Sequence, residues 1–109
     1  MSTATPPSEM LHLMSERFKA LGEPARLQLV YTLQSREMSV NELVDETGLG
    51  QANVSKHLQV LHTLRFVKRR KAGLFVYYML ADRAVISLCN LVCRRVESQL
   101  EAQQRLLST

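Results

Sequence analysis

Within the stretch Gln51 to Gln59, the side chains able to donate or accept hydrogen bonds include Gln51, Asn53, Ser55, Lys56 and Gln59. Asn and Gln amides pair bidentately with adenine edges, and hydroxyl and ammonium groups reach base edges or phosphates. The alternative for such a set is a plain solvated helix face. Charge separates the two readings. Between Thr47 and Ala81 stand six basic residues, Lys56, Arg65, Lys68, Arg69, Arg70 and Lys71, and no Asp or Glu, so all ten acids lie elsewhere. A tract of one sign is the electrostatic footprint of a phosphate-binding surface. A second candidate chemistry sits at Cys89 and Cys93, four residues apart. Two thiols on one helix face, doubled in a dimer, would offer four sulfurs to a thiophilic metal or metalloid such as Zn(II), Cu(I) or As(III). Reversible oxidation or persulfidation is the other sensing route. The competing role is packing, because free Cys behaves as a small hydrophobe and burial raises its pKa.

The elements that must position these residues follow from periodicity and punctuation. Ser39 with Glu42 three residues later is a capping-box start, so a helix is expected from Val40, with Val40, Leu43, Val44 and Thr47 inward and Gly48 as its left-handed end. Leu49 fills the corner. After Gly50, Val54, Leu58 and Leu61 recur at spacings of four and three, which defines a second helix whose opposite face carries the polar set. Upstream, residues 1–7 are expected to be a mobile tail, and 8–109 a single domain. Leu11, Met14, Phe18 and Leu21 predict a first helix from Ser8 to Leu21 ending at Gly22. Pro24 suits a first helical turn, and Leu27, Val30, Tyr31 and Leu33 carry a second helix to about Gln34. Arg36 to Met38 form a short connection with room for a single bridging strand.

Past Leu64 the periodicity becomes alternating. Residues 66–71 and 74–80 are β-prone runs separated by Ala72-Gly73, which predicts a hairpin with a basic tip and with Phe75 and Tyr77 packing its base. Asp82 is expected to cap a last helix from about Arg83 to Leu106, on which Val85, Cys89, Val92, Cys93, Val96 and Leu100 form one apolar stripe. The compact part is already built from earlier elements. The stripe is therefore expected to pair with a copy of itself, with Val85, Val92, Val96 and Leu100 in the interface. The fold class is mainly α (α+β), a winged helix-turn-helix of order α-α-(β)-α-α-β-β-α, dimeric through the terminal helices.

Length and composition bound the rest. A chain of 109 residues with 46% hydrophobic content accommodates one globular domain and no second catalytic one. Net charge +4 and a pI near 9.4 fit a polyanionic partner. No apolar run approaches the roughly 18 residues of a membrane span, and the polar N-terminus has no signal-peptide pattern, so no membrane partner and a cytoplasmic location with reduced thiols are expected. No histidine or Cys-x-x-Cys arrangement accompanies the thiols, which argues against an enzyme.

The segments FKALGEPARLQLVYTL, ELVDETGLGQANVSKHLQVL and VKRRKAGLFVYYML follow one another in an order that resembles the ArsR/SmtB family of small dimeric winged helix-turn-helix repressors. The likeness runs from Phe18 to Asp82 and is most specific over Ala52 to Leu61. It implies a homodimeric repressor that sits on a near-palindromic double-stranded DNA operator and leaves when an inducer binds. It carries the reading role onto Gln51, Ala52, Asn53, Ser55, Lys56, His57 and Gln59, and the wing role onto Lys68, Arg69, Arg70 and Lys71. Gly50 stands where such sequences commonly have a Ser cap. The family's Cys-x-Cys metal pair is absent, since the corresponding helix reads Leu43-Val44-Asp45-Glu46. Its Asp-x-His zinc pair is absent too, since the last helix opens Asp82-Arg83-Ala84 and no histidine follows His62. Cys89 and Cys93 remain as sensor thiols, because cysteine pairs on this helix occur among the family's thiol-based sensors. His57 is expected to pack or touch phosphate, His62 to favour its helix's negative end, and His12 to reach a partner's last helix. The competing functions are a protein-binding winged helix and a DNA-binding regulator without any sensor.

Overall fold

The computed structural model describes residues 4–108, so the expected tail over 1–7 lies partly outside the described residues; residues 4–7 carry no regular structure. Helix α1 spans Ser8–Leu21, α2 Pro24–Leu33, α3 Val40–Thr47, α4 Gln51–Thr63 and α5 Ala84–Leu107. Strands β1 (Met38–Ser39), β2 (Val67–Ala72) and β3 (Phe75–Leu80) complete the chain. They form one antiparallel sheet in the order β1-β3-β2. The architecture is the expected winged helix-turn-helix, and the bridging strand anticipated near Met38 is β1.

Local rules explain the helix-turn-helix. The Ser39 hydroxyl accepts from the Glu42 N–H at 3.2 Å while the Glu42 carboxylate accepts from the Ser39 N–H at 3.0 Å, a complete capping box. Gly48 ends α3 at φ +75°, a conformation that costs a residue with a Cβ about 1 kcal/mol or more. Thr47 then braces the turn, its hydroxyl donating to Leu43 O and accepting from Leu49 N. Gly50 occupies the N-cap position before α4, which therefore has no side-chain cap. It ends in a Schellman motif: Phe66 N–H donates to Leu61 O and Arg65 N–H to His62 O, with Arg65 at φ +65° where glycine is usual.

Leu29 and Val30 of α2, Leu43 of α3, Val54, Leu58 and Leu61 of α4 and Val67 of β2 are almost fully buried, and Val85, Ile86 and Cys89 of α5 close the same core. Burying one such side chain is worth about 1.5–3 kcal/mol, so this cluster fixes the angle between α3 and α4.

Three details depart from the sequence reading. The hairpin loop is Gly73-Leu74, because Ala72 pairs with Phe75 and Gly73 takes the positive φ of +63° at the first loop position, the type II′ pattern. Tyr78 and Leu80, not Phe75 and Tyr77, pack against the core. Side chains alternate, and the β1 pairing of Met38 with Tyr78 sets the phase, so Phe75 and Tyr77 fall on the other face. Finally, α5 begins at Ala84, with Asp82 Oδ1 accepting from Ala84 N–H at 2.8 Å.

Only the first turns of α5 are held by the domain: Val85, Ile86 and Cys89 are buried, Tyr31 donates to Asn90 Oδ1 at 2.9 Å, and Arg83 donates to Gln34 O. Val85, expected in the dimer interface, packs instead into the domain's own core because it lies in the first turn of α5, whereas Val92, Val96 and Leu100 stand exposed, as do Leu11, Met14 and Phe18 of α1. The radius of gyration, 17.0 Å, exceeds the roughly 13 Å of a compact domain of this length because these helices project. Among the described residues, no helix is long and apolar enough to cross a membrane.

Candidate nucleic-acid interface

Helix α4 sorts its side chains by phase. Val54, Leu58 and Leu61 are fully buried, and Gln51, Ala52, Asn53, Ser55, Lys56 and Gln59 are exposed. The outward set offers amide, hydroxyl and ammonium groups on a rod whose back is locked by packing, which is the geometry base-edge contacts require.

His57 does not belong to that set. Lying three residues after Val54, it falls toward the buried face and is 8% exposed. Its Nδ1 is 3.2 Å from Arg26 Nη1, and its Nε2 is 3.8 Å from Glu23 Oε2. Arg26 also donates to Ala20 O and Lys19 O at the end of α1, and Glu23 caps α2 by accepting from Arg26 N–H at 3.0 Å. This network ties α4 to the α1–α2 corner. Glu23 and Arg26 were invisible as partners in the sequence, since 31 residues separate Arg26 from His57.

In the wing, Lys68, Arg69, Arg70 and Lys71 are all exposed, but they are not equivalent. Arg70 makes a bidentate pair with Glu37, Nε donating to Oε2 at 2.9 Å and Nη2 to Oε1, and its guanidinium lies 5.0 Å from the Tyr77 ring centroid. Arg70 therefore clamps the hairpin to the segment before β1. The Arg70 hydrogen bond holds the Glu37 carboxyl below its ordinary range, and the pair raises Arg70. Glu42 is likewise lowered, chiefly by the Ser39 N–H and then by Arg36.

The two cysteines also separate. Cys89 is buried and burial pushes its thiol up, whereas Cys93 is exposed, donates to Glu97 Oε1 at 3.2 Å and is raised mainly by that bond. Both border an apolar cavity of about 480 Å³ lined also by Phe18, Leu27, Tyr31 and Val92. Tyr31 is raised by burial and by the neighbouring thiols. Among the described residues, no group of three or more His, Cys, Asp or Glu is placed to hold a metal ion.

Comparison with known proteins agrees with this geometry. Residues 23–69 match the profile of "Bacterial regulatory protein, arsR family". The chain is 37% identical over 82 residues to the HTH-type transcriptional regulator KmtR of Mycobacterium tuberculosis, covering 75% of this chain and 63% of that protein. It spans about three fifths of the length of the curated relatives it matches. Among solved structures, the transcriptional repressor BigR from Xylella fastidiosa superposes with a TM-score of 0.69 at 32% identity, over 77% of this chain and 86% of that one. The homodimeric winged helix-turn-helix DNA-binding domain Mb0332 from Mycobacterium bovis gives 0.77 at 28% identity, over 94% and 95%. The exposed polar face of α4, the basic hairpin and these likenesses together place the chain in the ArsR family of transcriptional regulators.

Proposed function

We propose that this chain is a cytoplasmic homodimeric repressor that binds a near-palindromic DNA operator in a sequence-specific manner. The observation that carries the reading is the division of α4 into a locked apolar back and an exposed face of Gln51, Asn53, Ser55, Lys56 and Gln59, inside a tract that holds six cations and no acid. In this reading Asn53 and the glutamines read base edges in the major groove, while Lys56, Lys68, Arg69 and Lys71 contact phosphates. The exposed faces of α1 and α5 form the two-fold interface, with Val92, Val96 and Leu100 at its centre, and thereby set two α4 helices about one duplex turn apart. The homodimeric state of Mb0332 supports a dimer. Residues 8–109 act as one unit. Operator release runs through the cavity beside Cys89 and Cys93, where a thiol-directed signal meets the helix that carries the interface.

The test is fluorescence anisotropy against duplexes selected by the protein from a random pool. Enrichment of an inverted repeat, affinity that falls steeply with salt, and loss of base preference in Asn53→Ala are expected. Salt-independent binding, or no enriched sequence, would defeat the proposal.

A further inference from the structure

The wing ends in a side chain that the fold does not use. Leu74 is 99% exposed at the tip of the two-residue loop, and the neighbouring Phe75 is 55% exposed. An isolated surface leucine needs no explanation. This one stands at the end of a braced lever. Val67 is buried at the base of β2, Tyr78 and Leu80 pack against the core, and the Glu37–Arg70–Tyr77 clamp fixes the middle of the hairpin. Gly73, at φ +63°, forces the tight reversal that projects Leu74 forward. Immediately behind it lie the exposed cations Arg69 and Lys71.

We propose that Leu74 is an apolar wedge, which the wing inserts into the minor groove of the bound duplex between stacked base pairs. The inference rests on the DNA-binding reading above. Charge selects the partner: the tract from Thr47 to Ala81 contains no acid, so the wing repels a second wing and is drawn to a polyanion. Phosphate contacts from Arg69 and Lys71 would hold the hairpin on the backbone while the leucine enters the groove. Apolar side chains wedged from the minor groove unstack a base step and kink the duplex toward the major groove. Pyrimidine–purine steps yield most easily, so the wedge would confer preference at positions that no polar side chain reads.

The experiment uses the full chain, a duplex selected from a random pool and dyes on the two DNA ends. Leu74→Ser and Leu74→Phe are compared with wild type by anisotropy and by energy transfer between the ends. Because Leu74 makes no fold contact, both variants should melt like wild type. Leu74→Ser should bind at least about tenfold more weakly for each wing engaged, the order expected for losing one buried leucine contact, and should bend the duplex less; Leu74→Phe should retain both properties. Wild-type affinity and bend in Leu74→Ser, with binding still weakened in Lys56→Ala, would overturn the wedge and leave the DNA-binding reading intact. Loss of binding to anionic vesicles in Leu74→Ser, with DNA binding untouched, would also overturn it by assigning the tip to a lipid surface. Failure of wild type to enrich any duplex would overturn the underlying reading itself.

Discussion

Replacing Lys56 by Ala should change how DNA binding responds to salt, by an amount that follows from the geometry. Lys56 is exposed on α4, and no carboxylate among the described residues lies within ion-pair distance of it. Its ammonium is therefore available to a phosphate in each of two protomers. Each neutralised phosphate contributes about −0.9 to the slope of log K against log salt, so the variant dimer should show a slope less negative by about 1.8. Extrapolated from about 1 M, that difference makes binding roughly 30-fold weaker at about 0.15 M salt, and the ratio of wild-type to variant affinity should shrink about 12-fold between about 50 and 200 mM. Arg70→Ala is the internal comparison. Its guanidinium is already engaged by Glu37, so its slope change should be smaller than that of Lys56→Ala. Anisotropy titrations at five or more salt concentrations measure both. A wild-type to variant ratio that stays constant with salt would refute the assignment of Lys56 to phosphate, and an Arg70→Ala effect as large as that of Lys56→Ala would refute the view that Glu37 holds Arg70 away from the duplex.

Three further outcomes are expected. Val96→Glu, placed in the exposed stripe of α5, should yield monomers in sedimentation velocity; a persistent dimer would locate the interface elsewhere. Arg65→Gly should stabilise the domain slightly, because removing the Cβ relieves roughly 1–2 kcal/mol of strain in the left-handed conformation and the freer unfolded chain offsets about 0.4–1 of it; a lower melting temperature would contradict the Schellman geometry at the end of α4. The Glu37 carboxyl is depressed in the folded state, so its contribution is present above its ordinary value of 4.5 and is lost as pH falls through the folded pKa. Glu37→Gln should accordingly show a shallower loss of thermal stability on acidification, and an unchanged acid limb would argue that the Arg70 clamp does not form in solution.

What the sequence disclosed and what it withheld divide along the range of the interactions involved. The capping box at Ser39, the left-handed Gly48, the helical start at Pro24 and the two faces of α4 all depend on residues within four or so positions of each other, and each appears as read. The phase of the hairpin does not. Phe75-Val76-Tyr77-Tyr78 is apolar on both faces, so alternation alone could not say which set turns inward, and the pairing of β3 with a two-residue β1 decided it. Burial of His57 depended on Arg26 and Glu23, and the restraint on Arg70 depended on Glu37, 33 residues away. Arg65 carries no local signal of its positive φ. For the thiols, equal membership of the apolar stripe concealed unequal burial, because only the first turns of α5 rest on the domain.

The strand order β1-β3-β2 leaves β2 at the margin of the sheet, with one long side of its backbone unpaired. An open margin of this kind invites another chain to add itself as a further strand. Lys68, Arg69, Arg70 and Lys71 occupy that strand, and mutual repulsion between two such edges discourages the addition. The cations that suit a nucleic-acid backbone thus also guard solubility. Neutralising all of them at once would remove both protections together, and turbidity in such a variant would report lateral association of edges rather than any change in DNA recognition.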